Sequence, residues 1–202
     1  MSLWLAPAPL VLASRSAARC ALLEAAGIPI ELRPADLDER GLEANVVSQE
    51  PAAIAVLLAR EKASFVAGAH AGRLVLGADQ TLALGAKRFV KPADQVAARA
   101  QLAALCGRTH ELHAAIAFVQ DGTTVFEHVE TARLTMRSFS DKFLDRYLET
   151  AGDAATSSVG GYQLEGLGIQ LFERIEGDYF TILGLPLLRT LDFLRQHGCL
   201  AR

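Results

Sequence analysis

Apolar and polar positions along the chain switch between two periods, and the switches delimit the expected elements. The run Leu10 to Ala13 is uniformly apolar and ends at the polar turn Ser14-Arg15-Ser16, after which AARCALLEAAGI supplies helix formers as far as Gly27. This reads as strand, turn, helix. IPIELRP alternates apolar and polar residues and predicts a second strand, and the acidic stretch from Ala35 to Glu43 leads away from it as a loop. From Pro51, a residue suited to the first turn, a long helix is expected with its apolar stripe on Ile54, Leu57, Leu58 and Phe65.

LVLGAD is an apolar run closed by Asp79, and TLALGAKRFV reads as further strand broken by a turn at Gly85. Lys91-Pro92 is expected to open a helix containing Val96, Ala97, Leu102 and Leu105. From His110 to Arg137 the pattern is strand-like, with Asp121-Gly122 as a hairpin turn, and Ser140 caps a helix, DKFLDRYLETA, that ends near Gly152. A Gly- and Ser-bearing loop around Tyr162, a strand IQLFERI and a last helix after Pro186 complete the chain. Alternating elements followed by consecutive strands predict an α/β fold with a mixed sheet, residues 1–202 forming one domain or one cleft-bearing pair of lobes.

Composition adds bounds. A chain of 202 residues, 51% hydrophobic and 21% charged, can bury a sizeable core. Its formal net charge of -3 provides no broad positive field, which argues against a nucleic-acid polymer as partner but leaves small anions open. Cys20, Cys106 and Cys199 are far apart and form no metal-ligand spacing, so reduced thiols in a cytoplasmic protein are the plain reading. The opening segment is apolar but prolinated and too short to span a bilayer, so no membrane association is expected.

Against this background a few residues suggest chemistry. Asp79 closes a strand-like run, where it could hold Mg²⁺ or take a proton from an attacking water, or merely cap a turn. The turn Ser14-Arg15-Ser16, with Arg19 following, offers hydroxyls, main-chain donors and cations at a helix start. Cations there oppose the helix dipole and are easier to explain if a phosphate intervenes, the alternative being solvated surface arginines. Lys91 before its proline repeats the pattern. Lys62 sits at the margin of the long helix's stripe, where it is a snorkelling or paired side chain or else reaches a phosphate. Glu39, in the acidic run, could be a second metal-directed carboxylate or part of a solvated loop. His110, His113 and His128 are read as structural. Together these residues point to a metal-dependent phosphate site without choosing the bond that is cut.

LVLASRSAAR, PADLDER, LAREKA, LGADQTLAL, KPAD, GRTH and SVGGYQLEGLGIQLFERIEGDYFTILGLPL follow one another in the order of the Maf family, which this chain resembles over nearly its whole length. The resemblance implies a nucleoside triphosphate pyrophosphatase related in fold to the inosine triphosphate pyrophosphatases, with an elongated mixed sheet, a central cleft and a dimeric state. It implies Asp79 as proton acceptor and Ser14, Arg19, Glu39, Lys62 and Lys91 as phosphate- and metal-site residues, with Mg²⁺ or Mn²⁺ held by Asp79 and Glu39. It also implies attack at the α-phosphorus, which no residue by itself indicates.

The chain departs from the family turn at Ala17, which replaces a proline, and at Ala18 and Cys20, where larger or basic residues are common. Gln80 and Glu165 stand where the dTTP/UTP branch carries Thr and Gln, so with Ala18 they are the expected specificity positions. Gln80 and Glu165 lean toward the 7-methyl-GTP branch, an ionised Glu165 being acceptor-only and suited to guanine N–H donors, whereas Ala18 differs from the bulky residue of that branch. A nucleotide-binding regulator of cell division and a hydrolase of other regiochemistry remain as alternatives.

Overall fold

The computed structural model describes residues 2–44 and 50–202. Seven strands form one mixed sheet: β1 (Leu10–Ala13), β2 (Ile30–Leu32), β3 (Val75–Leu84), β4 (Lys87–Phe89), β5 (Thr109–Gln120), β6 (Thr123–Met136) and β7 (Phe172–Glu176). Their order is β2-β1-β3-β5-β6-β7, with β4 paired to β3. β1 is parallel to β2 and β3, while β4 on β3 and β7 on β6 are antiparallel. The mixed sheet and flanking helices are those expected. The chain divides into two compact units, one comprising residues 1–80, 113–130 and 178–202, the other 81–112 and 131–177.

In the first unit, alternation along the strands sorts the core into two faces. Leu10, Leu12, Leu76, Ala78, Ile116 and Phe118 pack with Leu23 of α1 (Ala17–Ala25) and with Phe193 and Leu194 of α8 (Leu187–Gln196). Val11, Ala13 and Val75 face Ala63, Val66 and Ala67 of α3 (Pro51–Ala67). β1 is therefore buried on both sides, as a uniformly apolar run requires. The helix of residues 51–67 begins with Pro51 at its first turn as expected, but its stripe is displaced: Phe65 is 54% exposed, and Ala55, Ala59, Ala63 and Ala67 face the sheet with Ile54, Leu58 and Val66. Small side chains let this helix lie close to the strands.

The second unit contains α4 (Gln95–Leu105), α5 (Asp141–Ala151) and the short α6 (Ala154–Ser157). Ser140 caps α5 by accepting from the Phe143 N–H, and Gly152 ends it at φ 54°. The Asp121-Gly122 hairpin in the first unit forms with both residues at positive φ, 50° and 75°.

Several boundaries differ from expectation. β3 does not stop at Asp79 but runs on to Leu84, so Asp79 lies in mid-strand. The acidic stretch is not all loop, because Glu39 opens α2 (Glu39–Ala44). Lys91 does not open a helix: α4 starts at Gln95, capped by Asp94, whose carboxylate accepts from the Ala97 N–H at 2.7 Å. An aspartate is a far better cap than the residue before a proline, which is biased toward extended backbone. The strand foreseen in IQLFERI begins only at Phe172, with residues 167–171 forming a 3₁₀ turn. The loop around Tyr162 holds α6, and Tyr179–Ile182 form a short helix, α7, that periodicity could not reveal in four residues. His110 is structural as read, fully buried and 2.7 Å from the Tyr162 hydroxyl within the second unit.

Candidate functional site

The residues expected to bind phosphate or metal in the first unit converge at the end of β1. Ser14 follows that strand and is 7% exposed, its Oγ accepting from the Ser16 N–H and from Arg19 Nη1, each at 3.2 Å. Ser16 caps α1, accepting from the Arg19 N–H at 3.4 Å. Arg19 sits in the first turn, but its charge needs no phosphate there. Its Nε donates to the Gly184 carbonyl at 2.7 Å and its Nη1 to the Ala78 carbonyl at 2.8 Å. Burial lowers its pKa, and Asp79 and Glu39 oppose that shift. Arg15 pairs at 3.3 Å with Asp36 where both are exposed, a contact worth little.

The charged centre is Lys62. Its Nζ lies 2.6 Å from Asp79 Oδ1 and 3.0 Å from Glu39 Oε1, so one ammonium bridges carboxylates from a strand and a short helix. Asp79 and Lys62 are nearly buried, while the Glu39 side chain is 47% exposed. Close approach of α3 to β3 makes the bridge possible. A Cβ at Gly77, two residues before Asp79, would overlap the Ala59 carbonyl and sit 2.8 Å from the Ala63 nitrogen, so only glycine lets the helix come near enough. Burial pushes the Asp79 pKa up, outweighing the pull of Lys62 and Arg19 and aided slightly by Glu39. A carboxyl tuned in this direction is a better proton acceptor than an exposed one.

Ser14, Arg15, Ser16, Arg19, Glu39 and Lys62 share the lining of a pocket of ≈ 230 Å³, completed by Ala13 and residues 35–37. Asp79 joins this group through Lys62. Gln80, its neighbour in sequence, projects to the opposite face of the sheet, where its Nε2 donates to the carbonyls of Thr181 and Ile182. That commitment, and the Ala78 and Gly184 carbonyls holding Arg19, had no signal in the pattern, because main-chain acceptors carry no residue identity. Strand alternation alone, however, separates Gln80 from Asp79. Ala18 is half-buried in the first turn of α1. Lys91 and Glu165 belong to the second unit, and both are exposed.

The oxygen donors fit a hard divalent cation. Asp79 and Glu39 already converge on one positive charge, and Mg²⁺ or Mn²⁺ commonly uses one or two carboxylates, with waters and phosphate oxygens completing its shell. No group of three or more His, Cys, Asp or Glu side chains placed to hold a metal occurs among the described residues. The three cysteines are free. No helix among the described residues is long and apolar enough to cross a membrane.

A parallel-edged mixed sheet carrying a buried, lysine-bridged carboxylate beside a Ser- and Arg-lined pocket defines an α/β protein with a site suited to a small phosphorylated ligand and a cation. The chain belongs to the Maf family, whose model, described as Maf-like protein, matches residues 9–197. A protein of Rhodopseudomonas palustris (strain HaA2), named nucleoside triphosphate pyrophosphatase, is 61% identical over the whole of both chains. Proteins of the same name from Bradyrhizobium diazoefficiens and Paramagnetospirillum magneticum are 56% and 52% identical, the first over the whole of both chains and the second over 93% of this chain and 98% of its own. Among solved structures, a HAM1 protein from Coxiella burnetii is similar over 63% of this chain and 72% of its own, at a TM-score of 0.40 and 16% identity, a likeness too slight to carry an argument.

Proposed function

We propose that this Maf family member is a nucleoside triphosphate pyrophosphatase that cleaves the α–β phosphoanhydride, releasing a nucleoside monophosphate and pyrophosphate, and that it favours a guanine-type base such as 7-methyl-GTP. The observation that carries the reading is the Lys62 ammonium lying between Asp79 and Glu39 at the wall of a pocket lined also by the hydroxyls of Ser14 and Ser16, the guanidiniums of Arg15 and Arg19, and Asp36. Relatives bearing that activity in their names and matching the chain from end to end support the class.

Asp79 and Glu39 would hold Mg²⁺ or Mn²⁺, which when bound neutralises the triphosphate and polarises its phosphoryl oxygens. Ser14 Oγ and the main chain at the start of α1 orient the phosphate chain, and Arg19, fixed by two carbonyls, presents a preset cation to it. Asp79 takes the proton of the attacking water as its oxygen bonds the α-phosphorus. The bond from that phosphorus to the α–β bridging oxygen breaks, and pyrophosphate carries the electron pair away. Lys62 stands beside the carboxylates to balance charge spreading over the phosphate oxygens. Lys91 and Glu165 keep, as proposals, the roles of a phosphate cation and an acceptor for a base edge, and the dimer is proposed on the family likeness.

Incubation with a panel of canonical and methylated triphosphates, with and without divalent metal, tests the proposal by product analysis. Monophosphate and pyrophosphate in equal amounts are expected, fastest with guanine-type bases. Diphosphate plus orthophosphate would overturn the activity, and faster turnover of dTTP and UTP would overturn the base.

A further inference from the structure

We propose that Gln80 is a positioning residue, which holds Arg19 and Ser14 in place through the chain segment 181–184 and so sets the pocket's grip on a phosphate chain whatever base is attached. The proposal rests on the triphosphate reading of the pocket. Gln80 follows Asp79 on β3 but shares its face with Leu76 and Ala78, the side covered by α1 and α8. Both of its amide contacts run from Nε2, to the Thr181 carbonyl at 3.0 Å and the Ile182 carbonyl at 3.1 Å. These are carbonyls of the last turn of α7, and that of Thr181 also accepts from the Gly184 N–H at 3.0 Å, which joins the two ends of the segment. Two acceptors also fix the amide's sense, since the reverse orientation would set Oε1 against two carbonyl oxygens.

Two residues beyond Ile182, Gly184 turns the chain at φ 89° and presents its carbonyl to Arg19 Nε at 2.7 Å. Leu185, fully buried, anchors the far side of the turn, and Thr181 Oγ1 anchors the near side on Glu130 and Asp178. The guanidinium then donates to Ser14 Oγ. The links are few polar contacts, and the two made by Gln80 tie α7 to the strand bearing the carboxylate. Gly184 is tightly fitted as well, because a Cβ there would lie 3.3 Å from Arg19 Nη2 and 3.4 Å from Nε at a backbone conformation side chains resist.

A ligand without a base separates positioning from base reading. Gln80→Met, close in shape but without the donor, is expected to bind inorganic tripolyphosphate about tenfold more weakly in calorimetry. It should lower kcat/KM for GTP and UTP by a common factor, and adding it to Arg19→Lys should cost little more than Arg19→Lys alone. Gly184→Ala should behave alike, and it serves if Gln80→Met does not fold by circular dichroism. Unchanged tripolyphosphate affinity with an altered GTP-to-UTP ratio, or losses that add in the double variant, would overturn the proposal. Should the wild type bind no tripolyphosphate or release no pyrophosphate, the functional reading falls by itself. The relay is then decided by the Arg19 Nε–H resonance, which must shift and exchange faster in Gln80→Met; an unchanged signal refutes it.

Discussion

Lys62 and Asp79 show how one residue pair joins stability to chemistry. A buried ion pair is weak evidence of stability, but breaking it from one side strands a charge. Lys62→Met is therefore expected to lower stability by about 3–5 kcal/mol at neutral pH unless Asp79 takes up a proton, and to abolish most turnover. Denaturant titration at pH 8 and pH 5 checks this, with the deficit smaller at pH 5, because burial already raises the Asp79 pKa and a falling pH favours proton uptake by the stranded carboxyl. A loss equal at both pH values would contradict it. His110 offers a second residue-scale test. Burial depresses its pKa to about 4, so the folded state stays neutral while the unfolded state takes up a proton between pH 6.5 and 4. Stability from this group is full above pH 6.5 and is lost as pH falls through that window. In His110→Gln the slope of unfolding free energy against pH there should shrink by up to about one proton, and an unaltered slope would exclude the residue.

At the scale of elements, the contact of α3 with β3 creates the site. Gly77→Ala has no room between the strand and residues 59 and 63, so overpacking should cost about 1–3 kcal/mol, and the melting temperature should fall by about 2–4 °C per kcal/mol. Activity should fall further than stability, because the helix that must move carries Lys62. A variant that melts lower yet turns over normally would separate helix position from function. The same elements explain what the sequence made legible. β1, α5, α8 and the Asp121-Gly122 hairpin were readable because uniform apolar runs, caps and turn pairs are local signals. The face of α3 was misjudged because alanines bury well but register weakly against Leu57 and Phe65 in a periodicity count. Asp79 was placed at a strand end because a carboxylate inside a buried strand is unfavourable by local rules, and Lys62, seventeen residues earlier, with Arg19 makes it tolerable. The helix-start argument asked for an anion beside Arg19, where the structure supplies two carbonyls instead.

For the whole molecule, the proposed preference for a guanine-type base rests on Glu165. Glu165→Gln should lower the preference for guanine-type over pyrimidine triphosphates by about tenfold in kcat/KM, the worth of one strong polar contact, and an unchanged ratio would place base selection elsewhere. The central claim is that Asp79 receives the proton during attack on the α-phosphorus. Its most direct test is the single-turnover rate of pyrophosphate release at saturating metal and triphosphate, compared between the wild type and Asp79→Asn. Asp79→Asn should lose about 10²–10⁴ in rate with triphosphate binding and fold retained; release at the wild-type rate would contradict the role of Asp79 as proton acceptor.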